Sequence, residues 1–129
     1  MTLKQMDTRP TNSELEILGV LWERGPCLVK DVHEEMEKRR RTGYTTVLKL
    51  MQIMAEKGLV TRDEANRAHV YSANISREHA QSGLMNDLVD KAFGGSAHKL
   101  ALHVLGSAKA TPEELDEIRS LIDRLGEKS

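Results

Sequence analysis

The chain contains few of the residues that form cross-links, aromatic platforms or membrane spans. Only one of its 129 residues is a cysteine, so an internal disulfide is excluded and a reducing compartment is expected. Aromatic residues make up 3% of the chain, which leaves aliphatic side chains and six methionines to fill a core. No apolar run approaches the roughly 18–20 residues of a membrane span. The first ten residues lack the apolar region of a signal peptide, so we expect a cytoplasmic protein.

The sequence also has none of the residue spacings typical of enzymes and metal proteins. Five histidines lie outside any metal-ligand spacing: His33, His69, His79, His98 and His103. We find no Ser-His-Asp or Cys-His constellation, no glycine-rich phosphate loop and no carboxylate pair at a defined site. We therefore expect no enzymatic activity, no metal and no cofactor. Cys27 is interpreted as a small core residue or, alternatively, as a redox switch.

Charge is distributed unevenly along the chain. Residues 1–37 hold four Lys/Arg against eight acids, a net charge of −4. Residues 38–72 hold eight against three, a net charge of +5, and residues 73–129 hold seven against nine, a net charge of −2. The overall charge of −1 therefore conceals a basic central segment, which favours a polyanionic partner for that segment.

The first forty residues predict two helices and a basic turn. Capping-box spacing occurs at Thr11 and Glu14 and again at Ser13 and Glu16, so the first helix starts near residues 11–13. Its apolar stripe consists of Leu15, Leu18 and Trp22, flanked by Ile17 and Leu21. A short extended piece at residues 27–28 and a second helix over about 29–38 follow. Residues 38–43 are predicted to form the turn.

Residues 45–72 predict a helix followed by a β-hairpin. The helix runs from about Thr45 to Lys57 and ends at Gly58, a usual glycine at a helix C-terminus. Its apolar side carries Val47, Leu50, Met51 and Met54, and its opposite side carries Thr45, Lys49, Gln52 and Glu56. Residues 59–62 and 68–72 are strand-like, joined by a loop over 63–67. This order is typical of a winged helix-turn-helix, in which the helix enters the major groove of DNA and the hairpin, or wing, reaches the backbone.

The last third of the chain predicts three short helices. The first begins near Ser76, a second contains residues 100–105 and closes at Gly106, and the third begins at Thr111, an N-cap followed by Pro112. Such short helices bury too little surface to form a stable core alone. We therefore predict a winged-helix DNA-binding domain over residues 1–74 and a helical homodimerisation domain over 75–129. The predicted dimer contacts are Leu84, Leu88, Leu100, Val104, Leu115, Ile118, Ile122 and Leu125.

Polar side chains of the basic segment are the predicted DNA contacts. They are Arg39, Arg40, Arg41, Thr45, Thr46, Lys49, Gln52, Arg62 and Arg67. Short hydroxyls allow close approach to phosphates, whereas lysine and glutamine can reach base edges. Several alternatives stay open: the arginine run could be solubilising, Thr45 could be a helix cap, and Arg62 could pair with Asp63 or Glu64. A winged-helix protein-interaction adaptor that does not bind DNA is the alternative function.

The chain resembles the penicillinase-repressor family, the BlaI/MecI type of bacterial winged-helix repressors. The resemblance extends from about Pro10 to Leu125. It rests on Ser-Glu-Leu-Glu-Ile-Leu at 13–18 with Leu-Trp at 21–22, Tyr-Thr-Thr-Val at 44–47, Glu-Lys-Gly-Leu-Val at 56–60, Val-Tyr-Ser at 70–72 and Phe-Gly-Gly-Ser at 93–96. The match at 44–47 adds Tyr44 to the expected DNA contacts.

The resemblance implies a specific mode of regulation. It implies a homodimer on a palindromic, double-stranded DNA operator that represses genes of the β-lactam or cell-wall stress response. It further implies release when a membrane sensor metalloprotease cuts the dimerisation region, at a stretch that corresponds to about residues 100–105. The copper-sensing branch carries paired cysteines near the C-terminus, and this chain has only Cys27, so copper sensing is not expected.

Overall fold

The computed structural model describes residues 9–65 and 67–128 and contains a small sheet among several helices. The elements are α1 (Asn12–Arg24), β1 (Cys27–Leu28), α2 (Val29–Arg39), α3 (Tyr44–Lys57), β2 (Val60–Asp63), β3 (Val70–Ala73), α4 (Arg77–Ala92), α5 (Ala97–Ser107) and α6 (Pro112–Glu127). The three strands form an antiparallel sheet in the order β1-β3-β2. The predicted class, mainly helical with a small β-hairpin, is confirmed.

The capping box at Thr11 and Glu14 starts α1. The Thr11 hydroxyl accepts from the Glu14 N–H and the Glu14 carboxylate accepts from the Thr11 N–H, so two otherwise unpaired amides are satisfied. Ser13 does not cap the helix. The buried face of α1 is centred slightly away from the predicted stripe, since Leu15 and Trp22 are only partly buried. Its fully packed residues are Ile17, Leu18, Val20 and Leu21.

The structure corrects the predicted turn between α2 and α3. Lys38 and Arg39 lie in the last turn of α2, where cations are favoured near the helix C-terminus, and the Arg40 N–H still donates to the Met36 carbonyl at 3.0 Å. The connection is therefore shorter than expected. Gly43 is the N-cap of α3 and makes no side-chain capping bond. The interpretation of Thr45 as a cap is wrong, because it lies in the second helical position.

The strands lie one or two residues further along the chain than predicted. The Leu59 N–H donates to the Met54 carbonyl at 2.9 Å, so Leu59 still belongs to the exit of α3. Ala68 and His69 belong to the loop of the wing, and pairing begins at Val70. β1 pairs with β3 through Cys27 and Tyr71, so the extended piece before α2 completes the sheet rather than standing alone.

A buried ion pair joins the start of α1 to the end of α3. Glu14 is 1% exposed although it is an acidic residue. The Lys57 ammonium lies 2.8 Å from the Glu14 Oε1 atom, which also accepts from the Thr11 N–H at 2.8 Å. A buried carboxylate needs such partners, because desolvation of an unpaired charge is costly. The capping box and the ion pair therefore share one side chain.

The contacts that residues make within the chain divide it into two compact units, Met1–Leu84 and Met85–Ser129. The division falls inside α4, because the start of this helix packs on the winged helix. The Trp22 Nε1 atom donates to the Ile75 carbonyl at 2.9 Å, Arg77 lies over the indole ring, and Ala80 is buried. The domain boundary between residues 74 and 75 stays a prediction.

The second unit contains the end of α4 and the helices α5 and α6. Gly94 and Gly95, both with positive φ, separate α4 from α5. The structure extends α5 through Gly106 to Ser107, one residue past the predicted closure, since the Ala108 N–H still donates to the Val104 carbonyl at 2.8 Å. α6 begins at the predicted Thr111 cap. No residue of α5 or α6 within the described chain is buried, and no described helix is long and apolar enough to cross a membrane.

Candidate nucleic-acid interface

The two faces of α3 separate as the sequence predicts. Val47, Met51 and Met54 are 0% exposed and pack into the core. The residues Thr45, Thr46, Lys49, Gln52 and Glu56 are exposed, and Tyr44 is 47% exposed at the start of the helix. Because the apolar face anchors α3, the opposite face presents polar side chains on a rigid rod of the width that a major groove accepts.

His33 on α2 holds the chain that enters α3. Its Nε2 atom lies 2.8 Å from the Thr42 carbonyl and 3.1 Å from the Glu37 Oε1 atom. Both partners are acceptors, so this nitrogen carries the proton. The imidazole also meets the Tyr44 ring edge-on, with 5.7 Å between ring centroids. Sequence reasoning assigned His33 no role at the site, and no local spacing indicates these contacts.

The three arginines of the basic run have different surroundings. The Arg40 Nη2 atom lies 2.9 Å from the Glu16 Oε1 atom and 3.2 Å from the Ser13 hydroxyl, so this side chain connects the end of α2 to α1. Arg39 and Arg41 are exposed and form no salt bridge with any described residue. The structure therefore distinguishes one internally paired arginine from two whose guanidinium groups face solvent.

Arg62 on the wing is held by its own neighbours. Arg62 lies opposite Tyr71 in the sheet and its guanidinium pairs with Glu64. Interaction with Tyr71, and to a smaller extent with Glu64, raises the pKa of Arg62. The predicted alternative of a pair with Glu64 is confirmed. Arg67 is exposed in the loop of the wing. The Asp63 Oδ1 atom accepts from the Ala65 N–H at 2.9 Å and shapes the start of this loop.

A cleft of about 320 Å³ brings predicted residues of α3 and of the wing together. Tyr44, Gln52, Arg62 and Arg67 all line it, although 23 positions separate the first from the last. Lys30 and His69 line it as well, and sequence reasoning assigned neither to the site. Thr45, Thr46, Lys49 and the arginine run do not line the cleft.

Cys27 belongs to the core rather than to the exposed surface. It is 4% exposed and its Sγ atom lies 3.2 Å from the Gly25 carbonyl. Burial raises the pKa of the thiol, which keeps it protonated and unreactive at neutral pH. The interpretation as a small core residue is confirmed. Among the described residues no group of three or more His, Cys, Asp or Glu could hold a metal ion.

Most of the predicted dimer contacts are apolar side chains open to solvent. Leu84, Leu88, Val104, Ile122 and Leu125 are between 41% and 58% exposed, whereas Leu100, Leu115 and Ile118 are half-buried. Leu102 and Leu105 on α5 and Leu121 on α6 are also exposed. Isolated apolar side chains on a surface need no explanation, but a series of them along three successive helices indicates a surface that a partner covers.

Comparison with known proteins identifies the family. The family model described as the penicillinase repressor matches residues 10–124, which is most of the chain. The chain belongs to the penicillinase-repressor family. A relative named transcriptional regulator BlaI, from two strains of Mycobacterium tuberculosis, is 33% identical over 120 residues, which cover 92% of this chain and 86% of the relative.

The chain is also similar to two further proteins. A penicillinase repressor of Bacillus licheniformis is 20% identical over 113 residues, which cover 88% of each chain. The solution structure of the DNA binding domain of the repressor BlaI is 22% identical, with a TM-score of 0.49, and covers 60% of this chain and 90% of that one. As a member of this family the chain is a DNA-binding transcriptional repressor and not an enzyme. The winged-helix adaptor that does not bind DNA is not supported.

Proposed function

We propose that the chain binds a palindromic operator as a homodimer, with α3 of each protomer in the major groove and the wing on the adjacent backbone. The observation that carries the proposal is the division of α3 into an anchored apolar face and an exposed polar face. The net charge of +5 over residues 38–72 supports it, since it concentrates the cations on the helix and the wing.

Each exposed side chain of this surface has a role suited to its length. Lys49 and Gln52 reach base edges, where glutamine can bond adenine and lysine can bond guanine. Thr45 and Thr46 bond backbone phosphates, and Tyr44 lies beside them at the start of the helix. The other proposed contacts are made to phosphates by the cationic side chains of Arg39, Arg41 and Arg67. Arg40 and Arg62 contribute less, because each already pairs with an acidic residue of the chain.

Dimerisation is proposed through the second unit. The exposed apolar residues of α5 and α6, together with Met85 and Leu88 of α4, lie in a unit that buries no residue of α5 or α6. A second copy of the same chain presents the same apolar surface and is the simplest partner, because closed two-fold dimers are the commonest oligomers. Two-fold symmetry would place the two α3 helices in successive major grooves, about 34 Å apart or a multiple of it.

The regulated genes and the release step are proposed from the family. Relatives of this chain are named penicillinase repressor and BlaI, which supports control of β-lactam or cell-wall stress genes. Release would follow cleavage by a membrane sensor metalloprotease at about residues 100–105, which lie within α5. This segment carries exposed apolar side chains, so a cut there would damage the proposed dimer surface.

A gel-shift measurement with the DNA upstream of the chain's own gene tests the proposal. Gln52→Ala should weaken operator binding by roughly 1–3 kcal/mol and change binding to random-sequence DNA little. Gln81→Ala, the same substitution at an exposed position of α4, is the matched control and should leave both affinities unchanged. Equal losses on both DNAs for the Gln52 variant would remove this residue from base recognition.

Salt dependence tests the phosphate contacts separately. If each protomer contacts roughly four phosphates, the dimer has a log-log slope of about −7. Arg41→Ala should reduce the slope by about 2 for the dimer, one per protomer, and weaken all DNA sequences alike. Arg40→Ala should change it less, because its guanidinium is already paired with Glu16. An equal effect of the two variants would show that the Glu16 pair opens when DNA binds.

A further inference from the structure

The cleft between α3 and the wing has an apolar floor and a polar rim. Leu28, Val29, Leu48 and Tyr71 form its inner wall, and Val29 and Tyr71 are buried there. The exposed rim consists of Lys30, Tyr44, Gln52, Arg62, Arg67, Ala68 and His69. The rim residues come from three separate segments: the first turn of α2, the outer face of α3, and the wing. The fold therefore assembles this cleft from distant parts of the chain.

No acidic side chain lines the cleft among the described residues. Three cationic residues line the cleft, namely Lys30, Arg62 and Arg67, although the overall charge of the chain is −1. The three acids close to these lining residues in the chain have partners of their own. The Asp63 Oδ1 atom accepts from the Ala65 N–H at 2.9 Å. Glu64 pairs with Arg62, and the Asp31 Oδ2 atom accepts from the Leu28 N–H at 3.1 Å. The cleft is therefore suited to an anion.

The combination of floor and rim favours a sugar–phosphate backbone over a compact inorganic anion. Apolar side chains can contact the carbon atoms of a deoxyribose, while the cations and the imidazole on the rim can bond the phosphate oxygens. Gln52 lies on the rim, so a backbone in the cleft would run beside the bases that α3 contacts. Arg62 lies opposite Tyr71 in the sheet and pairs with Glu64, which leaves Lys30, Arg67 and His69 as the donors that can turn to the phosphate.

We propose that this cleft binds a backbone phosphate of each operator half-site, and that Lys30 and His69 complete the site together with Arg67. Arg62 mainly positions the wing against Tyr71 of β3 and contributes less to the phosphate, because it already pairs with Glu64. The inference rests on the proposed function, since it names a further contact of the same DNA surface. It assigns DNA contact to two residues outside α3 and the basic run, one of them at the start of α2.

The first test is the salt dependence of the full-length Lys30→Ala variant, measured by fluorescence anisotropy. The probes are the duplex from upstream of the chain's own gene and a random-sequence duplex of equal length. Lys30→Ala should weaken both complexes by a similar factor and reduce the log-log slope by about 1 per protomer bound. His69→Ala should also weaken both. Lys109→Ala, an exposed lysine between α5 and α6, is the matched control and should behave as the wild type.

The outcomes separate this inference from the proposed function. If the wild type binds neither duplex, the proposed function fails. If the wild type binds but Lys30→Ala keeps its affinity and its slope, only the phosphate site is overturned. Lys30 is exposed, so the variant should fold, and an unchanged urea unfolding midpoint would verify this.

The second test locates the phosphate on the DNA. Duplexes that carry one neutral methylphosphonate at successive flanking positions are titrated with the wild type and with Lys30→Ala. The wild type should lose affinity at one flanking position per half-site, and the variant should lose less there than the wild type, because one of the three donors to that phosphate is already absent. Equal sensitivity of the variant at every position would overturn the assignment.

A third measurement distinguishes the DNA backbone from a free anion. Inorganic phosphate is titrated into the DNA-free protein, and the amide resonances of Lys30 and His69 are followed. Weak, unsaturated shifts at millimolar phosphate are expected if the apolar floor selects the sugar–phosphate chain. Saturation at micromolar phosphate, together with competition against DNA, would make the cleft a small-anion site and overturn the proposal.

Discussion

At the scale of single residues, we expect the buried ion pair of Glu14 and Lys57 to contribute strongly to the stability of the fold. Lys57 and Glu14 side chains are 12% and 2% exposed, so solvent screens their attraction little. Removal of one partner leaves a buried charge uncompensated, which typically costs 3–5 kcal/mol. We expect Lys57→Ala to lower the free energy of unfolding by about 3 kcal/mol, measured by urea denaturation.

Two further variants show whether the pair itself is responsible. Lys49→Ala removes an exposed lysine from the same helix and should change stability by less than about 0.5 kcal/mol. The double variant Glu14→Gln with Lys57→Met removes both charges and should recover part of the loss. If the Lys49 and Lys57 variants unfold at the same urea concentration, the ion pair does not stabilise the fold.

The same pair marks the limit of what could be predicted from the sequence at this scale. Glu14 was predicted as the capping partner of Thr11, because that contact is three residues away and has a known spacing. Its contact with Lys57 spans 43 residues and follows no periodicity. The Arg40–Glu16 pair, 24 residues apart, was missed for the same reason, and so were Lys30 and His69 in the cleft. Local patterns predict local partners, whereas tertiary neighbours depend on how the elements pack.

At the scale of elements, the exit from α3 depends on Gly58. This residue has φ 82° and ψ 11°, a left-handed conformation that glycine adopts without steric cost. No atom lies within 4 Å of a Cβ added there, so the strain is confined to the backbone. Gly58→Ala should destabilise the winged helix by about 1 kcal/mol, and Gly58→Asn should cost less, because asparagine tolerates this conformation better.

Gly19 provides a control, because its replacement by alanine is expected to raise the stability that Gly58→Ala lowers. It lies inside α1 without a positive φ, and an added Cβ there also meets nothing within 4 Å. Gly19→Ala should stabilise the protein by up to about 1 kcal/mol, since alanine is the better helix former. Thermal unfolding monitored by circular dichroism compares the two variants. A loss of stability in both would mean that packing at these positions, and not backbone conformation, decides the outcome.

The elements differ in how well periodicity predicted them. α3 was predicted correctly because its buried Val47, Met51 and Met54 recur at helical spacing and its end is a glycine. The strands were displaced because each spans only four residues, too few for an alternation to specify its register. The pairing of β1 with β3 depends on Cys27 lying opposite Tyr71, a contact between residues 44 positions apart. Short elements are thus defined by their partners rather than by their own composition.

At the scale of the whole molecule, the proposed dimer can be disrupted without a change to the DNA surface. Val104→Asp and Ile122→Asp each place a charge on an exposed apolar face of the second unit. We expect both full-length variants to sediment as monomers at micromolar concentration. Operator affinity should fall by about 10²–10⁴, because the second half-site is no longer held at high local concentration. Ser120→Asp, on the opposite side of α6 from Ile122, should remain dimeric.

A fragment that ends at Leu84 gives the complementary result. It retains Ile75, whose carbonyl accepts from Trp22, and the buried Ala80, so the contacts of the winged helix stay intact. The fragment should be monomeric and should bind single half-sites weakly. Dimerisation of this fragment at micromolar concentration would assign the interface to the first unit instead.

Proteolytic release, if it operates as proposed, should act on the dimer and leave the DNA surface intact. The proposed DNA contacts end at His69, whereas residues 100–105 lie in α5, a helix that buries no side chain within the described chain. Within one protomer such a helix makes few buried contacts, so the contacts that oppose its local opening are mainly those of the proposed dimer surface. A cut there separates α6 from the rest of the chain and removes part of the apolar surface that the second copy covers. Each protomer would then hold only one half-site, and dissociation should follow from the lost effective concentration.

Cells treated with an antibiotic that acts on the cell wall should therefore accumulate a shortened chain, detected by immunoblot, as the repressed genes are switched on. An antibiotic that acts on the ribosome is the control and should leave the chain at full length. Because the fragment keeps α3 and the wing, it should still bind random-sequence DNA, with a salt dependence reduced to that of a monomer. Derepression while the chain stays at full length would exclude cleavage as the trigger. The inducing signal would then have to act through a ligand or a partner that separates the two protomers.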